Sequence, residues 1–298
     1  MTPTLPPALA GERFEFDSPA GRLSAYAGGP ATGTPLLLIH SVNAAASAAE
    51  VAPVYEHFLG QRPVYAIDLP GFGFSDRSDR SYTPRLMTDA VQTIASHVAE
   101  RHGGGPIDAL ALSLGCEFLA RAATEVPARY RSLALVSPTG FNGRTRRRGA
   151  PGSTMHMAWL NAALTGPGWG GGLFRQLTRP GVVRFFLRKT FGSTVIDEGL
   201  WQTSVITARQ PGAEHAPLAF LSGTLFSRDI NDVYERLTQP VWMSHGTRGD
   251  FVDYQGKTTV ATRPNWRITV METGALPYFE QPQAFGTAYE AFLRSVPG

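Results

Sequence analysis

One serine in the stretch ALALSLGCEFLARAA, residues 109–123, has the setting of a nucleophile. Ser113 stands between an apolar run of strand length and an amphipathic stretch, with Ala111 and Gly115 two residues to either side. Small residues at those places let a tight strand-to-helix turn close and hold the serine in a strained conformation. The hydroxyl then sits over the N-terminus of the next helix, where the Leu114 N–H and the helix dipole can meet a developing oxyanion. That is a geometry for acyl transfer. It needs a partner for the proton, because a neutral serine is a poor nucleophile by itself. Cys116, three residues on, reads as a small packed residue rather than a second nucleophile.

The elements that must hold this serine are legible on either side. TPLLLIHS (34–41), RPVYAIDLP (62–70), PIDALALS (106–113) and YRSLALVSP (130–138) are near-continuous apolar runs. Continuous rather than alternating apolarity suits strands covered on both faces, which predicts a parallel sheet. Between them, YTPRLMTDAVQTIASHVAERHGGG predicts a helix capped by Thr83, opened by Pro84 and stopped by Gly103. Strand–helix alternation of this kind predicts an α/β fold with a mostly parallel, doubly wound sheet. The alternation stops near Gly140 and resumes with QPVWMSHG (239–246), NWRITVMETG (265–274) and a last helix near 280–295. The expected organisation is a core of residues 1–140 and 229–298, with 141–228 inserted as a mostly helical cap.

Of the 298 residues, 43% are hydrophobic and 17% charged, enough for a sizeable core. One cysteine excludes an intramolecular disulfide and a Cys-rich zinc site. The N-terminus lacks the basic and apolar regions of a signal peptide, and no apolar run approaches the roughly 18 residues of a membrane helix. A soluble, cytoplasmic chain is expected. The net charge of +3 is uneven: residues 1–140 carry −3, residues 141–239 carry +6, and the rest balance. The RTRRR cluster (144–148) reads as a solvated face, or more sharply as a landing site for an acidic substrate or an anionic lipid surface. GFG (71–73) lacks the third glycine of a nucleotide loop, and GPGWGGG (166–172) has no Lys-Ser/Thr and reads as a cap loop. No aromatic-interleaved basic stripe suggests nucleic-acid binding. Neither a metal nor an organic cofactor is implied, and the oligomeric state stays open.

Two further stretches carry a resemblance. LLLIHSVNAAAS (36–47) is similar to the oxyanion loop of the α/β-hydrolase superfamily, with Ser41 where glycine is usual, and AIDLPGFGFSDR (66–77) to its Asp-x-x-Gly-x-Gly-x-Ser turn. In order and spacing the chain resembles the cap-bearing members over roughly residues 12–296. The resemblance implies a Ser-Asp-His triad: Ser113 as nucleophile, Asp250 as acid with Asp253 as the alternative, and a histidine in TGALPYFEQP. Gly274, Pro277, Glu280 and Pro282 surround that slot, and the slot holds Ala275. It also implies an oxyanion hole from the N–H groups of Val42 and Leu114, and a substrate pocket near His40, Asn43, Trp159 and Tyr278.

Loss of the triad histidine in a serine protease costs on the order of a million-fold in kcat, so Ala275 requires an account. The histidine has been lost in a chain that binds a ligand or does other chemistry, a cap histidine or the substrate replaces it, or the alanine was introduced. Of the seven histidines, His40 and His245 fall at strand ends and read as packing groups. His57, His97 and His102 fall on outer helices and read as solvated. His156 and His215 lie in the cap, from where either could reach Ser113. Tyr278 is a poor base at neutral pH. Trp159, Trp169, Phe174, Phe185, Phe186 and Phe191 give the cap an apolar inventory, part for its own core and part for a pocket. The expected function is hydrolysis of a hydrophobic carboxylic ester or related carbonyl compound with an incomplete triad. The alternative is a non-hydrolytic ligand-binding protein, or a cofactor-free lyase or isomerase on the same fold.

Overall fold

Most of the near-continuous apolar runs become strands buried along nearly their whole length, because helices cover both faces of the sheet. The computed structural model describes residues 3–143, 146–165 and 170–297. Eight strands run β1 (Glu12–Ser18), β2 (Gly21–Gly28), β3 (Leu36–Ile39), β4 (Val64–Asp68), β5 (Ile107–Leu112), β6 (Tyr130–Val136), β7 (Val241–Gly246) and β8 (Trp266–Met271). They lie in one sheet in the order β1-β2-β4-β3-β5-β6-β7-β8. From β4 to β8 every pairing is parallel, whereas β1 and β2 form an antiparallel hairpin that pairs onto β4. This hairpin is not among the expected strands. Its outer strand, ERFEFDS, is half exposed and therefore alternates instead of running continuously apolar.

The period of two sorts the strand residues. Leu37, Ile39, Ile67, Ala109, Ala111 and Leu135 face one layer, which holds α2 (Pro84–Arg101) and α3 (Gly115–Glu125). Leu36, Leu38, Ala66, Leu110, Leu112 and Val136 face the other, with α1 (Ala52–Phe58) and the C-terminal helix Pro282–Ser295. The α2 helix begins as its sequence requires: the Thr83 hydroxyl accepts from the Leu86 N–H and Pro84 opens the first turn. Met87, Ala90, Val91, Ile94 and Val98 form its buried stripe.

Between β6 and β7 the described chain forms α4 (Ala158–Thr165), α5 (Gly170–Leu177), α6 (Pro180–Phe191), α7 (Glu198–Thr207) and α8 (His215–Leu221), then α9 (Ile230–Glu235). Ile230, Val233 and Tyr234 of α9 return to the sheet's core, and Tyr234 stacks on Phe141. After β7 come α10 (Thr258–Ala261), α11 (Pro277–Glu280) and the last helix, α12 (Pro282–Ser295). No described helix is long and apolar enough to cross a membrane.

Two sequence expectations change here. The described arginines of RTRRR do not make a merely solvated face: Arg146 pairs with Glu235, Arg148 lies 3.9 Å from Asp232, and Arg147 donates to Asn142. Arg144, Thr145 and the GPGW stretch of residues 166–169, Trp169 included, lie outside the described residues. The histidines of the outer helices are engaged: His57 meets Glu290 at 2.7 Å, His97 stacks on Phe14 and Phe16, and His102 meets the Tyr65 hydroxyl at 2.9 Å.

Candidate active site

Five loops leaving the carboxyl ends of β3, β5, β6, β7 and β8 converge on one cavity of about 390 Å³. Convergence there follows from the parallel sheet, whose strands all end at the same edge. Ser113 closes β5 with φ of 51°, left-handed backbone that few non-glycine residues adopt. Its N–H donates to Val136 O at 2.8 Å, which fixes the turn against β6, and its side chain lines the cavity. Gly115 is required two residues later, because a Cβ there would collide with the His40 carbonyl. Leu114 caps the N-terminus of α3 and is buried in the core. Cys116 is buried too. Its thiol donates to Ala111 O at 3.1 Å, and burial pushes it well above the usual thiol range, so it is no nucleophile.

The loop after β3 forms the facing wall. His40 is fully buried; its Nε2 accepts from the Leu69 N–H at 2.9 Å and its Nδ1–H donates to Ser41 O at 2.5 Å. Burial brings its pKa down to about 4, so the ring is neutral and spent on holding two loops together. It does not line the cavity; Val42 and Asn43 do. Beneath them lies a residue without an expected role, Glu50. Its Oε2 accepts from the Ser41 N–H at 2.9 Å and its Oε1 from Asn43 Nδ2 at 2.5 Å. Glu50 is 7% exposed and lines the cavity, and burial raises its carboxyl above the usual carboxylate range. The Asp68 turn buttresses this wall: its carboxylate accepts from the Ala48 and Phe74 N–H groups, and Gly73 leaves it room.

On the remaining side, Asp250 lines the cavity, but its carboxylate is half exposed and paired with Lys189 at 2.7 Å. It is therefore ion-paired rather than stranded among water and backbone. Asp253 accepts from the Gly143 N–H at 2.8 Å. Ala275 lies in the same wall, its N–H donating to Thr190 O and its carbonyl accepting from the Ser137 hydroxyl, both at 2.8 Å. Ser137, at the end of β6, shares the left-handed backbone of Ser113 with φ of 46°, and sequence reasoning passed over it. Glu280 accepts from the Gly274 N–H at 2.6 Å, which explains the acid that follows this slot.

Two further expected pocket residues lie elsewhere. Trp159 is 72% exposed on α4 and is not in the cavity wall. Tyr278 is buried on α11, outside that wall, because α11 turns its ring into the core against Phe285. Among the described residues no histidine lines the cavity. His156 meets the Thr224 hydroxyl, and His215 lies 3.5 Å from Asp79. The His245 ring, stacked on Tyr254, meets Lys257 Nζ at 2.9 Å and is held below the usual imidazole range by burial. Leu112, Leu187, Phe220, Phe226 and Phe251 supply the apolar part of the wall. No group of three or more His, Cys, Asp or Glu side chains suited to a metal ion occurs among the described residues.

The chain matches the Alpha/beta hydrolase family over residues 36–288. It belongs to that family. Solved structures of similar alpha/beta hydrolase fold include a thermophilic esterase from Thermogutta terrifontis, 20% identical, with a TM-score of 0.70 over 96% of this chain and 99% of that one. A meta-cleavage product hydrolase from Pseudomonas fluorescens is 16% identical, with a TM-score of 0.71 over 95% and 98%. A carboxylesterase from Bacillus subtilis is 19% identical, with a TM-score of 0.69 over 95% and 92%. At such identities the likeness is one of fold. No curated protein sequence matches this alpha/beta hydrolase.

Proposed function

We propose that this alpha/beta hydrolase acts on a hydrophobic carboxylic ester or related carbonyl compound through Ser113, without a triad histidine. The observation that carries this reading is the strained Ser113, opening into a largely apolar cavity at the carboxyl edge of the sheet. The substrate carbonyl would lie against the N–H groups of Val42 and Leu114, with Asn43 and the apolar side chains around it. Residues 141–228 would serve as its lid. Asp250 has no imidazole to orient and is bound to Lys189 instead. Ala275 takes the histidine's place, so turnover is expected to be slow.

A second reading, ligand binding or cofactor-free lyase or isomerase chemistry, is favoured by one observation: no histidine lines the cavity among the described residues. A paired assay separates the two. The chain and its Ala275→His variant are given p-nitrophenyl esters of short and medium chain, with a fluorophosphonate probe reporting on Ser113. The hydrolase reading expects the variant to gain hydrolysis and labelling by orders of magnitude, within the roughly million-fold a triad histidine is worth. If both proteins leave ester and probe untouched, the pocket serves other chemistry and the second reading stands.

A further inference from the structure

The cavity that lacks an imidazole holds a different proton-carrying group. Glu50 comes from the turn after the β3 loop, in the apolar string AAASAAEVAPV, and its carboxyl lies in the same wall as Ser113 and Ala275. It is buried, and the groups that bind it are neutral: the Ser41 N–H and the Asn43 side-chain amide. No Lys, Arg or His pairs with it among the described residues, whereas the cavity's other acids are engaged, Asp250 with Lys189 and Asp253 with the Gly143 N–H. A buried carboxyl without a counter-ion is costly to the fold, and such groups cluster at functional sites.

We propose that Glu50 takes the proton from Ser113 and returns it to the leaving group. The inference rests on Ser113 being a nucleophile. In the first step Ser113 Oγ bonds to the carbonyl carbon, the C=O π pair moves onto the oxygen, and the Oγ proton passes through one water of the cavity they share to the Glu50 carboxylate. Collapse of the adduct breaks the bond to the alkoxy oxygen. That alkoxide takes the proton from Glu50, leaving Ser113 acylated and Glu50 ionised. Water repeats the sequence on the acyl group and releases the acid.

Charge favours this exchange in an apolar site. With an imidazole, attack creates a cation and an anion where both partners were neutral. With Glu50, one negative charge moves from carboxylate to oxyanion, and no new charge is made in the cavity. Burial raises the Glu50 carboxyl above the usual carboxylate range, the direction that suits a general base, while its hydrogen bonds from Ser41 and Asn43 hold it back. The ionisable groups around it are few. Tyr278 of α11 and Cys116 of α3 are neutral, since burial pushes both well above their usual ranges. Arg147, Asp250 and Asp253 stand elsewhere in the wall.

The test measures fluorophosphonate labelling of Ser113 against pH in the full chain, in Glu50→Gln, in Glu50→Asp and in Ala275→His. The expected result is a wild-type labelling rate that rises through one ionisation above the ordinary carboxylate range. Glu50→Gln should lose roughly 100- to 10,000-fold and the ionisation with it, and Glu50→Asp should recover part of both. If Glu50→Gln labels at the wild-type rate with an unchanged profile, the proposal is overturned. If the wild type never labels but Ala275→His does, Ser113 is a nucleophile and Glu50 is not its base. If neither labels, both readings fall. Should Glu50→Gln unfold early, an infrared titration of the wild-type carboxyl decides. A carboxyl that stays in one form over the range where labelling rises overturns the assignment.

Discussion

Ser113 and Ser137 share an uncommon backbone and differ in what holds it. Both are non-glycine residues in the left-handed region, where a side chain is strained by roughly 1–3 kcal/mol. The Ser137 hydroxyl returns part of that through its bond to Ala275 O, a bond of about 1 kcal/mol. Among the described residues no such bond to the Ser113 hydroxyl offsets the strain. Ser113→Gly should therefore raise stability by about 1 kcal/mol while abolishing probe labelling, and Ser137→Gly should be close to neutral. Denaturant titrations of the two variants beside the wild type check this; a destabilised Ser113→Gly would mean that the elbow is not strained. At this scale the sequence was readable where a short motif carries the meaning. Ser113, Val42, Asn43 and Ala275 could be placed because their neighbours are part of a pattern. Glu50 could not, since its meaning comes from burial beneath a loop nine residues away. An acid alone among the apolar and small residues of AAASAAEVAPV was the only sign of it.

The loops that form the cavity hold their places because the strands beneath them are clamped at the opposite edge. Asp108, at the start of β5, is fully buried and bonds Arg131 of β6 at 2.7 and 2.9 Å, Arg62 before β4 at 2.5 Å, and the Ser132 hydroxyl at 2.6 Å. One carboxylate thus ties β5 to β6 and to the segment before β4. Asp108→Ala leaves two largely buried guanidinium groups without their anion and should lower unfolding free energy by about 3–5 kcal/mol, read by urea titration. A loss under 1 kcal/mol would show that water replaces the clamp. The strands themselves were legible because a doubly covered strand must be apolar throughout. The β1–β2 hairpin was missed for the complementary reason: one exposed face leaves an alternating pattern that is weak over seven residues. Trp159 was misplaced because aromatic content says that a helical segment packs, not which of its faces turns inward.

Across the whole molecule, buried titratable groups pull stability in opposite directions with pH. The His40 ring, at about 4 in the fold against an ordinary 6.5, favours the neutral form. Its contribution is complete above 6.5 and is lost as pH falls towards 4, because the unfolded chain binds the proton more readily. Glu50, Asp68 and Glu117 are raised by burial, so their protonated forms suit the fold and they oppose that loss as pH drops. Comparison with His40→Gln isolates the histidine. The wild type's advantage over the variant should shrink by about 3 kcal/mol between pH 7 and pH 4, and a constant difference would show that the ring takes up its proton as readily in the fold as in the unfolded chain.

Cys116 gives this chain a natural reporter of its own opening. It is the chain's one sulfhydryl, sealed under the turn that carries Ser113 and facing Ala111 and Val136. An alkylating reagent can reach it only in molecules whose turn has come apart, so the rate of alkylation counts those molecules without an introduced dye or a second thiol. Because fluorophosphonate reads the outer side of the same turn, the two reagents together distinguish a protein that is inactive from one that is merely open.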